Sequence, residues 1–100
     1  ISMDEFNPQY HYLLGTIYKE EAKYDEAFNA LRRAIYLDKD FIMAYYMLGI
    51  INLTKGNSQE AKKNFLTALE LVARLKSDEI IPYSDGIPAG KMAEMISSIS

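Results

Sequence analysis

The sequence predicts an all-α fold, an α-solenoid of two helix hairpins closed by a fifth, C-terminal capping helix. Three observations lead there. Apolar residues recur at the three- and four-residue spacing of a helix face. The chain resembles itself when moved by 34 positions: Tyr12 falls on Tyr46, Leu14 on Leu48, Gly15 on Gly49 and Ile17 on Ile51. The same shift brings Glu26 onto Glu60, Ala27 onto Ala61, Ala34 onto Ala68 and Leu37 onto Leu71. Nearly all the matched residues are small or apolar, as stacked units require and as a duplicated catalytic site would not.

The elements follow in order. Pro8 can open the first helix, because its missing N–H would have no helical partner there. Tyr10, Leu14, Ile17 and Tyr18 then keep helical spacing to about Glu21. The second helix carries Tyr24, Ala27, Phe28, Leu31, Ala34 and Ile35. A third spans residues 41–54 and stops at Lys55-Gly56, a C-terminal signal. Asn57 and Glu60 have the spacing of a capping box, opening a fourth helix expected to reach Lys76. Within it Glu70 and Arg74 stand four apart, a pairing worth a few tenths of a kcal/mol, about 0.3–0.5. Gly15 and Gly49 remove side chains where two helices approach, each at about 1 kcal/mol of helix propensity. Residues 77–87 are rich in proline, glycine and small polar residues and read as a loop. A fifth helix over 88–100 has Met92, Ile96 and Ile99 on one stripe and covers the open end of the second unit.

Composition narrows the function. With 49% hydrophobic and 25% charged residues the chain has the balance of a folded single domain. Eleven basic against fourteen acidic residues, a net charge of −3, leave no basic footprint for nucleic acid. Without cysteine there is no disulfide framework, thiolate nucleophile or cysteine zinc site. The longest apolar run, residues 41–51, is too short to span a bilayer, so no membrane insertion is expected. The N-terminus lacks the layout of a secretory signal, and a chain starting Ile-Ser reads as a piece of a larger cytoplasmic protein.

Few residues suggest chemistry. His11, the single histidine, lies on a packing face and reads as structural. Residues 86–91 look like a phosphate loop, but the glycines are one residue too close, no Ser/Thr follows Lys91, and no strand precedes them. Asn52-Leu53-Thr54 matches a glycosylation acceptor yet falls inside a helix. Glu20, Glu21, Asp25 and Glu26 gather at a corner without the loop that calcium ligation needs. The third helix is the exception, apolar on nearly all sides, which demands either a contact surface or burial beneath the 77–88 loop or a further domain.

The pattern Leu14-Gly15, Tyr18, Ala27, Leu31, Ala34 resembles the tetratricopeptide repeat, and Leu48-Gly49, Ala61, Phe65, Ala68 resembles it again. The departures are His11 and Tyr45 at the family's aromatic position, Asn52 for its tyrosine, and Lys39 and Ala73 for its proline. This resemblance implies an upstream linker at 1–7, repeat units at 8–41 and 42–76, the loop at 77–87 and the cap at 88–100. It also implies a concave groove that takes a protein or peptide, lined by Tyr12, Thr16, Lys19, Met43, Tyr46, Ile50 and Leu53. A basic clamp for a C-terminal carboxylate is disfavoured, because Lys19 is the one clear cation among those positions.

A narrower resemblance lies in residues 69–96, which are similar to the end of bacterial CheR-type chemotaxis methyltransferases carrying C-terminal tetratricopeptide repeats. Ser84-Asp85-Gly86, then Ala89-Gly90-Lys91 and an apolar helix, carry it most strongly. It implies an upstream domain that methylates receptor glutamates with S-adenosylmethionine, and repeats that serve contacts or regulation. No catalytic, cofactor-binding or metal residue is assigned in these 100 residues. The partner expected is a chemoreceptor, a signalling protein or the chain's own catalytic domain. The alternative is an oligomerisation or scaffold domain of an unrelated bacterial signalling protein, with helix 41–54 pairing two copies as a homodimer. An enzyme in its own right is the third class, disfavoured by the missing nucleophile, metal set and phosphate loop.

Overall fold

The computed structural model describes residues 5–99. Among them are five helices: α1 (Pro8–Glu20), α2 (Tyr24–Leu37), α3 (Ile42–Thr54), α4 (Ser58–Val72) and α5 (Ala89–Ile99). α1 pairs with α2 and α3 with α4; α3 stacks on α2, and α5 on α4. The expected all-α solenoid of two hairpins and a cap is the observed architecture. Residues 1–4 of the expected linker and Ser100 of the cap lie outside the described residues; Glu5 and Phe6 form a single tight turn before Asn7.

Local chemistry accounts for the ends. Asn7 caps α1 by accepting from the Gln9 amide at 2.9 Å, with Pro8 in the first turn. α1 and α3 then end in the same way, one repeat apart. The Lys23 amide donates to the Tyr18 carbonyl and the Asn57 amide to the Asn52 carbonyl, both at 2.8 Å. The residue before each amide is left-handed, Ala22 at φ 61° and Gly56 at φ 83°. This double-bonded helix stop suits glycine, and alanine accepts it at a cost of about 1–2 kcal/mol.

Both hairpins close on a missing side chain. A Cβ built on Gly15 would lie 2.7 Å from Leu31 Cγ, and one on Gly49 would lie 2.5 Å from Phe65 Cε1. Leu31 and Phe65 are themselves buried, with Ala27, Ala34, Ala61 and Ala68 beside them. Asn52 is buried and donates from Nδ2 to Asn64 Oδ1 at 2.8 Å. That bond satisfies a polar side chain between α3 and α4 that would otherwise cost stability.

Three local expectations are corrected. Asn57 makes no side-chain cap bond, and Glu60 instead faces Lys63 at 3.4 Å. Glu70 and Arg74 do not pair; Arg74 reaches Asp40 across the repeat junction at 3.7 Å, an exposed contact of little energetic weight. α4 stops at Val72 rather than near Lys76, because its end tightens into shorter bonds, Arg74 to Leu71 and Leu75 to Val72, and Glu79 accepts from the Lys76 amide at 3.2 Å.

Two stability predictions follow from these contacts. Gly49→Ala gains about 1 kcal/mol of helix propensity but forces the buried Phe65 ring to move, at about 1–3 kcal/mol, so urea denaturation should show a net loss. Ala22→Gly relieves the left-handed strain and should raise stability by about 0.5–1 kcal/mol in the same measurement, after the extra freedom glycine gives the unfolded chain.

Candidate partner-binding groove

The expected lining forms repeat-related pairs on α1 and α3: Tyr12 with Tyr46, Thr16 with Ile50, and Lys19 with Leu53, each 34 positions apart. One end of this face is closed by the chain itself. Tyr12 and Met43, expected as open lining, are buried at 6% exposure each. The Tyr12 ring lies 5.0 Å from Phe41, and Phe41 lies 5.7 Å from Tyr83 of the segment between α4 and α5. Burial pushes the Tyr12 phenol above its usual range, and the Asp85 carboxylate adds to the shift.

This segment is a folded strap. Ile81 is buried, and the buried Ser84 hydroxyl donates to the Ile81 carbonyl at 2.6 Å and accepts from the Ile87 amide at 2.9 Å. Tyr83 and Asp85 are left-handed, at φ 63° and 59°, and Gly86 follows at 89°. The strain at the two non-glycine residues, about 1–2 kcal/mol each, is offset by the Ser84 bonds and by Ile81 in the core.

The other end stays accessible. Tyr46 is half-buried with its ring 6.0 Å from Phe65. Thr16 is half-buried too, its hydroxyl donating to Leu13 in its own helix at 2.7 Å. Ile50 and Lys19 are half-buried, and among the described residues Lys19 has no ion-pair partner. Leu53 is 41% exposed. Of the expected lining, Thr16, Lys19, Tyr46, Ile50 and Leu53 are thus accessible, while Tyr12 and Met43 belong to the core. Ile42, Met43, Ala44, Leu48, Gly49, Ile51 and Asn52 of α3 are buried inside one copy, so a homodimer seam along helix 41–54 would have to use its Tyr45, Tyr46, Ile50 and Leu53 side.

The remaining polar candidates have structural roles. His11 is half-buried, with Nε2 2.9 Å from the Glu5 carbonyl. The Ala89 and Gly90 amides, which a phosphate would need, donate to Glu79 and Ser77 at 2.8 and 2.9 Å. Asp25 joins Lys55 at 2.7 Å, and that ammonium holds its carboxyl below the usual range. Glu21 pairs with Lys23 at 3.3 Å. No cluster of metal-ligating side chains occurs among the described residues, and none of their helices is long and apolar enough to cross a membrane.

The buried phenol makes a pH prediction. Tyr12 holds its proton more tightly when folded, so its contribution is intact below about pH 10 and is lost as the pH rises above that value. Thermal melts of Tyr12→Phe should fall less steeply above pH 10 than those of the parent. Tyr45, whose pKa burial also raises, leaves a residual slope.

No curated protein matches the chain. The family described as Tetratricopeptide repeat matches residues 8–41 and 44–71, both units whose hairpins close on Gly15 and Gly49. With most of its length matched and the paired-helix stacking in place, the chain belongs to the tetratricopeptide repeat family.

Proposed function

We propose that this chain is a protein-interaction and regulatory module that takes a polypeptide segment along the open end of the α1–α3 face. Tetratricopeptide repeats are protein-binding units rather than catalysts, which makes a polypeptide the natural ligand. The observation that carries the reading is the accessibility of the repeat-equivalent Lys19 and Leu53, the first a cation with no ion-pair partner among the described residues, the second an exposed apolar side chain. Thr16, Tyr46 and Ile50 complete the surface, and Tyr12 and Met43 support it from beneath. A segment with an acidic side chain for Lys19 and apolar side chains for Ile50 and Leu53 fits this chemistry.

The finer reading is a CheR-type parent, whose S-adenosylmethionine-dependent domain would methylate receptor glutamates. The residues that carry this resemblance also have demanding positions: Ser84 holds the strap, Gly86 is left-handed, and a Cβ on Gly90 would lie 3.2 Å from the Ser77 carbonyl. The strap and cap are thus a specific device rather than generic loop. The reading frame upstream of Ile1 tests the identification, since a methyltransferase domain there supports it and any other neighbour retires it.

Binding tests the module itself. Against a panel of acidic–apolar peptides read by calorimetric titration, Lys19→Glu and Leu53→Ala should each weaken the tightest binder about tenfold, about 1.4 kcal/mol. Neither change should lower the melting temperature by more than a degree or two, because both side chains are accessible. Unchanged affinity in both variants would remove this face from the function.

A further inference from the structure

The outer side of α2 carries positive charge that the packing of the units does not use. Asn29, Arg32, Arg33 and Tyr36 follow one another at helical spacing and are all exposed, Tyr36 to 78%. Neither arginine has an ion-pair partner among the described residues. One repeat later the same positions hold Lys63, Leu66, Thr67 and Glu70, so stacking does not call for two guanidinium groups there.

Beside this face lies a cleft of about 410 Å³ between α2 and α4, with Leu48 and Asn52 of α3 buried at its base. Phe28 and Ile35 give it an apolar wall, and Glu60 and Asn64 of α4 line its other side. The polar groups on that side are already matched: Asn64 accepts from Asn52, and Glu60 faces Lys63. Arg32 is the cation left over. Its guanidinium lies over the Phe28 ring, 5.6 Å from the centroid, a contact that holds the group by its flat face. Stacking of this kind leaves the in-plane N–H donors for an acceptor, and a carboxylate can take two of them at once.

We propose that the cleft and the Arg32–Arg33 face form a second protein-docking surface, for an acidic polypeptide segment that seats an apolar side chain in the cleft. Its carboxylates meet the two guanidinium groups, and the exposed Tyr36 ring adds contact area with a polar tip. Charge and shape together select this occupant. Arg32 and Arg33 call for anions, while the apolar wall and the Leu48 base gain nothing from a bare ion. A nucleic acid strand is disfavoured by Glu60 in the cleft and by the net charge of −3. This surface shares no residue with the α1–α3 face, so the two readings stand or fall separately.

The test uses the Lys19→Glu, Leu53→Ala double variant as its background, which takes the α1–α3 face out of the measurement. Fluorescence anisotropy with the labelled peptide EELFEE at low ionic strength reads the docking where exposed charges are least screened. The background protein should bind the peptide, and Arg32→Glu or Arg33→Glu should each weaken it about tenfold. With both arginines reversed, the peptide KKLFKK should bind in place of EELFEE. A peptide with two serines for the central Leu-Phe pair should bind more weakly, because it leaves the cleft empty. Both arginines are exposed, and circular dichroism melts should show every variant folded. The proposal is overturned if the background fails to bind EELFEE at millimolar peptide, or binds it equally well with both arginines reversed. Equal binding of the serine peptide, or of a thymidine oligonucleotide, would overturn it in favour of a general anion patch.

Discussion

The fold depends on one steric condition, repeated: at the middle of each hairpin a helix carries no side chain, so the partner's large side chain lies against its backbone. Leu31 over Gly15 and Phe65 over Gly49 set the approach within the units, with the alanines of α2 and α4 on either side. That approach leaves α1 and α3 each with one side against its partner, one toward the next unit and one along the shared concave face. The position of every candidate binding residue follows from it. Gly15 and Gly49 therefore serve packing density, and the helix propensity they forgo is recovered in dispersion contacts with a buried side chain.

Much of this was legible in the sequence because the repeat is written in residue size. The paired glycines, the alanines and the large residues opposite them recur at one spacing, and the hairpins follow with boundaries correct to a few residues. Features set by a single local bond were not legible. Ala22 does the work of Gly56 without being a glycine, Asn57 has capping spacing but makes no cap bond, and α4 ends where the Arg74 and Leu75 amides turn to carbonyls three residues back. The groove was half legible. Family positions located its residues, but exposure depends on residues 80–85, part of a segment whose prolines, glycine and small polar residues read as loop. Cover by this loop was one of the two outcomes the sequence allowed, and the Ile80-Ile81-Pro82-Tyr83 stretch held the signal that favours it: a loop carrying two isoleucines and a tyrosine has apolar surface to bury.

The strap explains why an apolar face and a stable domain coexist here. A two-unit solenoid buries little surface, and leaving all of α3 open would expose a large part of its apolar mass to water. Phe41, Tyr12 and Tyr83 stack across the head of the face, while Ile81 enters the core beneath. What stays open is smaller and chemically more mixed, with a cation and a leucine at equivalent places. Closure by the chain's own residues thus adds stability and leaves a smaller accessible face.

The asymmetry of the two ends follows from the same logic. α5 covers α4 much as α3 covers α2, yet it is a single helix standing where a pair would stand. At the opposite end α1 keeps the apolar register that α3 uses to join its neighbour. A repeat protein carries the means of its own extension in each unit, and a cap removes that means only where it covers the whole face. Leu13 and Ile17 are exposed on α1 where, one repeat later, Met47 packs against the core and Ile51 lies within it.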